Sequence, residues 1–446
     1  MLDHSRSGIL WVSGLSRLLH PILDASHTRN RRTSPPNSSC LPGTRTEVIR
    51  KISCWATASL SDQPQHILWV FGYAGCGKSA IAQAAADLLA EARRLGASFF
   101  FFRGSGDRTR ITRLAPTIAS QIAATIPGTE QLIATALRTY PGLLEPTTSP
   151  LFQFKHLVYD PIRVAAWSSH RPHEGFKTFI IIIDGLDECE DKEEVAEFVW
   201  DLIAFFQQNP NTPLRFLVTS RVEEHLHRRL HNSEQVCLLN LVHQTSDKDI
   251  AAALDALIED ARRSRVFSTT NEWLSPENKQ ALVHHIGGSF IFLGTIMKFL
   301  FDQDCTDGLS PFERLPVALN MDPGFDSMYS EILGRSCHLP HFFPILNTVA
   351  LSQQPLSIAV VADLVDISVV SVTSILVRLH SILQVPGDDF TPITLWHTSF
   401  RDFLCSERRS GSLFSSPSHH RRLAYQCISL TARSIHCRSS ASVEYA

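Results

Sequence analysis

Neither sign of charge dominates this sequence: 41 Lys and Arg stand against 44 Asp and Glu, a formal net charge of −3 over 446 residues. A surface built as a nucleic-acid footprint needs a dense excess of Lys and Arg, so nucleic acid is not expected as a partner of the molecule as a whole. Charge is scarce altogether, at 19% of residues against 44% hydrophobic, which excludes disorder as the dominant state. Paired cysteines are also missing. The ten are scattered singly from Cys40 to Cys437 with no C-x-x-C, so neither a zinc site nor a disulfide framework is suggested and a reducing, cytoplasmic setting is expected. His225, His227, His284, His285, His419 and His420 lack metal-ligand spacing and read as surface or interface residues. Long apolar runs are absent as well: Gly287 to Phe301 contains Lys298 and falls short of the ~20 residues that cross a bilayer, so no membrane span is expected. No repeat of fixed period is present.

What the sequence does have is length for about three domains at ~150 residues each. The first 35 residues hold five arginines and two aspartates around an apolar stretch, Gly8 to Leu23. Arg17 and the lack of a small-residue cleavage site argue against a secretory signal; a frayed amphipathic lead-in is the better reading, with a mitochondrial presequence as the alternative. Residues 28–43, with two adjacent prolines, read as a linker. From Thr44 a helical pattern leads into short apolar runs: Ile67 to Phe71, Ala97 to Phe102, Phe179 to Ile183, Leu214 to Thr219 and Val236 to Leu239. Each is continuous rather than alternating, as for strands covered on both faces of a parallel sheet. Helical patterns lie between them at Ser79 to Arg94, Arg113 to Ile126, Glu130 to Thr139 and Glu193 to Phe206. The alternation predicts an α/β P-loop NTPase fold, a parallel sheet with helices on both faces over 44–241. A helical domain follows over 242–325. Helices and then a hairpin through Pro386-Gly387-Asp388-Asp389 suggest a winged helix over 326–405, and a Ser- and Arg-rich tail over 406–446 ends the chain.

The strongest motif is Gly72-Tyr73-Ala74-Gly75-Cys76-Gly77-Lys78-Ser79, which follows an apolar strand and opens a helix, with Ala80 next in line. Glycines let backbone N–H groups close around phosphates, the helix N-terminus adds partial positive charge, Lys78 reaches the outer phosphates and Ser79 can ligate Mg²⁺. The second motif ends a run of four isoleucines in Asp184-Gly185-Leu186-Asp187-Glu188. A carboxylate at the end of a strand delivers Asp184 to the Mg²⁺ shell, and Asp187 or Glu188 could orient an attacking water, an exposed acidic turn being the alternative. Arg221 follows the run Leu214 to Thr219, where an arginine senses a γ-phosphate or simply faces solvent.

These motifs, with Pro42-Gly43-Thr44-Arg45 and Leu395-Trp396-His397-Thr398-Ser399-Phe400 in the expected order, resemble the fungal NACHT-type STAND NTPases. Those are Nod-like-receptor relatives whose nucleotide domain is described as nephrocystin-type. The resemblance covers about residues 40–430. It implies a signalling switch that is closed with ADP, opened by ligand sensing and exchange for ATP, and then self-associates. It also implies that Thr44 and Arg45 line the nucleotide pocket, that Arg221 senses the γ-phosphate and that His397 contacts the β-phosphate of ADP. Tyr73, Val222 and Phe290 stand where relatives carry proline. Family members carry an effector module before this core and a repeat array after it, and neither flank is expected to house one. A minimal or truncated member without signalling is thus an alternative to the switch, as is a housekeeping P-loop ATPase or kinase. A DNA-binding winged helix is disfavoured because Val369 to Leu383 offers one arginine, Arg378, among apolar residues.

Overall fold

The computed structural model describes residues 14–29, 39–72, 75–103, 106–168, 177–231, 233–244, 246–263, 274–301, 310–320, 325–379, 382–385, 389–395 and 399–441. It divides into two compact units, Met1–Asp249 and Ile250–Ala446.

The first unit is built on five strands: β1 (Ile67–Phe71), β2 (Leu95–Phe100), β3 (Phe179–Asp184), β4 (Leu214–Ser220) and β5 (Val236–Asn240). All pair in parallel, in the order β2-β3-β4-β1-β5. Successive side chains point to opposite faces of a strand, and here both faces are apolar. Trp69, Phe99, Ile181, Ile183, Phe216 and Val218 join one buried cluster with helices Leu114–Thr125 and Lys192–Gln208. Leu68, Val70, Phe100, Ile180, Ile182 and Leu217 join the other with helices Thr46–Thr57 and Lys78–Glu91. Double coverage explains why these strands read as largely apolar runs, with Ser98 in β2 and Arg215 and Thr219 in β4 as buried polar residues within them.

The structure differs from the sequence reading in several places: β2 begins two residues earlier than the run Ala97 to Phe102, a helix forms at Glu224–Leu230, and two further segments depart more widely. Pro150–Phe154, a π turn at Lys155–Tyr159 and Asp160–Ser168 form one helical stretch that the apolar periodicity did not show. The wider turn inserts a residue and shifts the apolar stripe out of phase. Residues 14–29, read as a frayed lead-in before a linker, are packed against the sheet. Residues 14–19 are helical, and Leu15, Leu19 and Ala25 are buried in the first cluster.

In the second unit, helices Pro276–Ile286, Phe290–Leu300, Ile358–Val365 and Val369–Leu376 each begin at a serine (Ser275, Ser289, Ser357, Ser368) whose side chain accepts a backbone N–H of the first turn, the strongest local start signal a sequence carries. Phe342–Leu351 lies between them in sequence, and Leu383–Gln384 pairs antiparallel with Thr394–Leu395. The Tyr329 hydroxyl meets Ser399 Oγ at 2.7 Å and its ring packs on Phe400 and Phe403. No single helix among the described residues is long and apolar enough to cross a membrane.

Lys298 lies on the apolar helix Phe290–Leu300, and burial pushes its amine down to about 7. The unfolded chain holds that proton to about pH 10.4. Between the two values the unfolded state binds more protons, so stability rises with pH; below about 7 the charged amine opposes folding in full. Lys298→Met is expected to raise the melting temperature more at pH 6 than at pH 9, and equal shifts in the two melts would count against a buried charge.

Candidate functional site

The strand register decides which residues meet. Phe71 pairs with Ser220, Ile183 with Val218, and Phe100 with Asp184, so the carboxyl ends of β1, β3 and β4 finish level. That end of an open parallel sheet is where ligands bind. Gly72 leaves β1 there, Asp184 ends β3, and Thr219 and Ser220 end β4, which lies between the other two, with Arg221 next.

From Gly75 to Ser79 the loop turns tightly into helix Lys78–Glu91. Gly75 and Gly77 have φ of 83° and 87°, a left-handed backbone that costs a side-chain-bearing residue roughly 1–2 kcal/mol. A Cβ on Gly72 would stand 2.7 Å from the buried Cys76 Sγ, so glycine is required there by close approach. Tyr73 and Ala74 lie outside the described residues. The Lys78 ammonium donates to the Gly72 carbonyl at 3.1 Å, reaching back across the loop, while Ser79 and Ala80 are half-buried behind it.

Arg45 approaches from the other side. Its backbone is left-handed at φ 58°, its N–H donates to Asp249 Oδ1 at 2.8 Å, and its buried guanidinium donates through Nη2 to the Cys76 carbonyl at 2.6 Å. Thr44, next to it, is buried and donates to the Leu41 carbonyl. Arg45 therefore reaches the main chain of the phosphate loop through its guanidinium, whereas the bond given for Thr44 stays within its own turn. His397 lies outside the described residues.

The acidic side of the site is held by a residue that the motif reading missed. The Thr219 hydroxyl donates to Asp184 Oδ1 at 2.5 Å and accepts the Gly185 N–H at 3.0 Å, fixing the turn after β3. Ser79 hydrogen-bonds the same carboxylate. Burial raises the Asp184 carboxyl, while Thr219, Ser79 and the charges of Arg29 and Lys78 pull the other way. The only sequence signal for Thr219 is a hydroxyl two residues before Arg221, in a strand that also carries Arg215 and Ser220.

Asp187 and Glu188 part company in the structure. Asp187 is buried and paired: Arg221 donates its N–H to Oδ1 at 2.9 Å and its Nε to Oδ2 at 2.7 Å. Burial alone would raise Asp187, but the charges of Arg221 and Lys78 and the Arg221 hydrogen bonds outweigh it and hold the carboxyl low. Glu188 accepts the Arg103 N–H at 2.9 Å through Oε2. Burial and the Asp187 charge raise it to about 7, against the opposing pull of Arg103 and Arg221. One carboxylate is thus locked in an ion pair, while its neighbour sits where proton exchange at neutral pH is easy.

For a metal the donors suit magnesium. Ser79 and Asp184 present hard oxygens beside a phosphate loop, and Mg²⁺ is usually held by one or two carboxylates together with substrate phosphates. Among the described residues no group of three His, Cys, Asp or Glu side chains is placed to cage a metal.

Residues 43–221 match the family model described as Nephrocystin 3, N-terminal. That span runs from just before Thr44 to Arg221 and takes in the loop and all three carboxylates. Over 72% of its length the chain is 22% identical to the vegetative incompatibility protein HET-E-1 of Podospora anserina, of which the alignment covers 23%, so it spans about a quarter of that relative. Among solved structures it is similar to the Aeropyrum pernix Orc1 protein in complex with DNA (12% identity, 85% of this chain, 94% of that one) and to Cdc6p of Pyrobaculum aerophilum (12%, 84% and 94%), each a loose superposition with a TM-score of 0.35. With the loop, the strand order and the carboxylates in place, residues 43–221 form a NACHT-like P-loop NTPase domain.

Proposed function

We propose that the protein binds ADP and ATP with Mg²⁺ at Gly72, Gly75, Cys76, Gly77, Lys78, Ser79 and Ala80, hydrolyses ATP slowly, and works as a nucleotide-dependent signalling switch in innate recognition or programmed cell death. The observation that carries this reading is the meeting of Lys78 and Ser79 after β1 with Asp184 at the end of β3 and with the pair of Asp187, after β3, and Arg221, after β4. The loop N–H groups and Lys78 would receive the phosphates, and Ser79 and Asp184 would hold magnesium, which when bound offsets phosphate charge. Asp187 keeps Arg221 aimed at the end of the loop, and Glu188 is the better-suited group to take a proton from water.

The switch reading is supported by the kind of relative the chain is similar to, a vegetative incompatibility protein. It assigns 326–405 to a winged helix, and it gives His397 a contact with the β-phosphate of ADP. The purified protein is expected to retain ADP, identified by chromatography of the acid-released nucleotide, and to shift to a larger species in size-exclusion chromatography when loaded with a non-hydrolysable ATP analogue. Nucleotide-free protein that rejects both, or rapid multiple turnover without a change in size, would overturn the switch.

A further inference from the structure

Residues 14–29 wrap the free edge of the sheet. β2 is an edge strand, and an uncovered edge invites pairing with other chains. On one face of the sheet Leu15 and Leu19 are buried in the core, and the Ile22 N–H donates to Thr117 Oγ1 at 3.1 Å on helix Leu114–Thr125. Around the edge, the His27 N–H donates to Ser98 Oγ at 2.9 Å on β2. Asp24 meets the buried Arg108 at 3.4 Å, and Arg108 in turn donates to the Phe100 carbonyl at the end of β2. On the opposite face the segment delivers Arg29, only 5% exposed. Its guanidinium lies 3.5 Å from the Phe100 ring centroid and donates through Nη1 to Gln83 Oε1 at 2.7 Å.

Those two partners are the point. Gln83 lies four residues after Ser79 on the phosphate-loop helix, one turn along the same face. Phe100 is in register with Asp184, and the Phe101 N–H donates to the Asp184 carbonyl at 2.9 Å. Arg29 therefore touches the helix that carries Ser79 and the edge strand β2 that pairs with the end of β3, and its charge acts favourably on the Asp184 carboxylate. The Ile22 and His27 N–H groups bond the side chains of Thr117 and Ser98 rather than a strand ladder. The segment can therefore come away without breaking the sheet.

We propose that residues 14–29 are a nucleotide-coupled strap, with Arg29 the positioning residue that links its docking to the phosphate-loop helix and the end of β3. This rests on the nucleotide-binding reading above. Coupling is reciprocal: if the docked strap favours nucleotide, nucleotide must favour the docked strap by the same factor, typically ~5- to 150-fold.

The test uses the full chain with Mg–ADP as the probe, reading affinity by calorimetry and strap docking by deuterium exchange over peptides spanning 14–29. Saturating Mg–ADP is expected to slow exchange of the Ile22 and His27 region at least about fivefold. Arg29→Gln is expected to weaken Mg–ADP at least about fivefold and to erase that protection, with Arg29→Lys restoring much of both. Thr117→Val removes the Ile22 acceptor far from Arg29, so a parallel loss of affinity supports the strap even if Arg29→Gln fails to fold. A merely structural Arg29 lowers the melting temperature and leaves the nucleotide-dependent protection intact. Wild type that binds Mg–ADP with unchanged strap exchange overturns the strap alone, whereas wild type that binds none overturns both proposals.

Discussion

Lys78→Ala is expected to abolish retention of nucleotide through purification. The Lys78 ammonium already reaches back over the loop to the Gly72 carbonyl at 3.1 Å, so its charge stands where phosphate oxygens would enter. Charge-assisted hydrogen bonds contribute about 1.5–3 kcal/mol each; losing two weakens binding by roughly 10²- to 10⁴-fold. The same cation acts on Asp184 and Asp187, so its loss also leaves the acidic side with less compensation. A thermal melt separates this from unfolding: a folded variant without bound nucleotide is the expected pair of results, and unchanged nucleotide content would remove Lys78 from the site.

The strands and the residues at their ends were legible in the sequence for a physical reason. A strand buried on both faces is mostly apolar, so a carboxylate at its end, as at Asp184 after four isoleucines, stands out. The serines that cap helices in the structure, Ser275, Ser289, Ser357 and Ser368, are a local signal left unused by the sequence reading. What stayed hidden depends on contacts between distant parts of the chain. Arg29 lies next to a Pro-rich stretch, and only the fold brings it 54 positions along to Gln83. Thr219 reads as one more strand residue until the register sets it beside Asp184. The pairing of Asp187 with Arg221 spans 34 positions, and without it the two adjacent acids Asp187 and Glu188 were equal candidates.

That inequality sets the second large effect. Glu188→Gln is expected to slow ATP turnover by roughly 10²- to 10⁴-fold, the usual contribution of a positioned proton acceptor, while leaving Mg–ATP affinity largely intact. Glutamine keeps the shape and can still accept the Arg103 N–H, but it cannot take a proton. Asp187→Asn acts differently, because the carboxylate it removes is the charge partner of Arg221, in a pair whose acid is almost wholly buried. Breaking such a pair from one side leaves a poorly compensated guanidinium, which destabilises the fold by about 3–5 kcal/mol when both members are buried and by less here, since Arg221 is partly exposed. Asp187→Asn should therefore lower the melting temperature and disturb ATP binding together, and it should also lower Glu188 toward the ordinary carboxylate range, since the Asp187 charge is one of the two causes that raise it. Single-turnover hydrolysis beside nucleotide titration separates the two variants. Glu188→Gln with wild-type turnover would reject Glu188 as the base and return the role to water held by other groups.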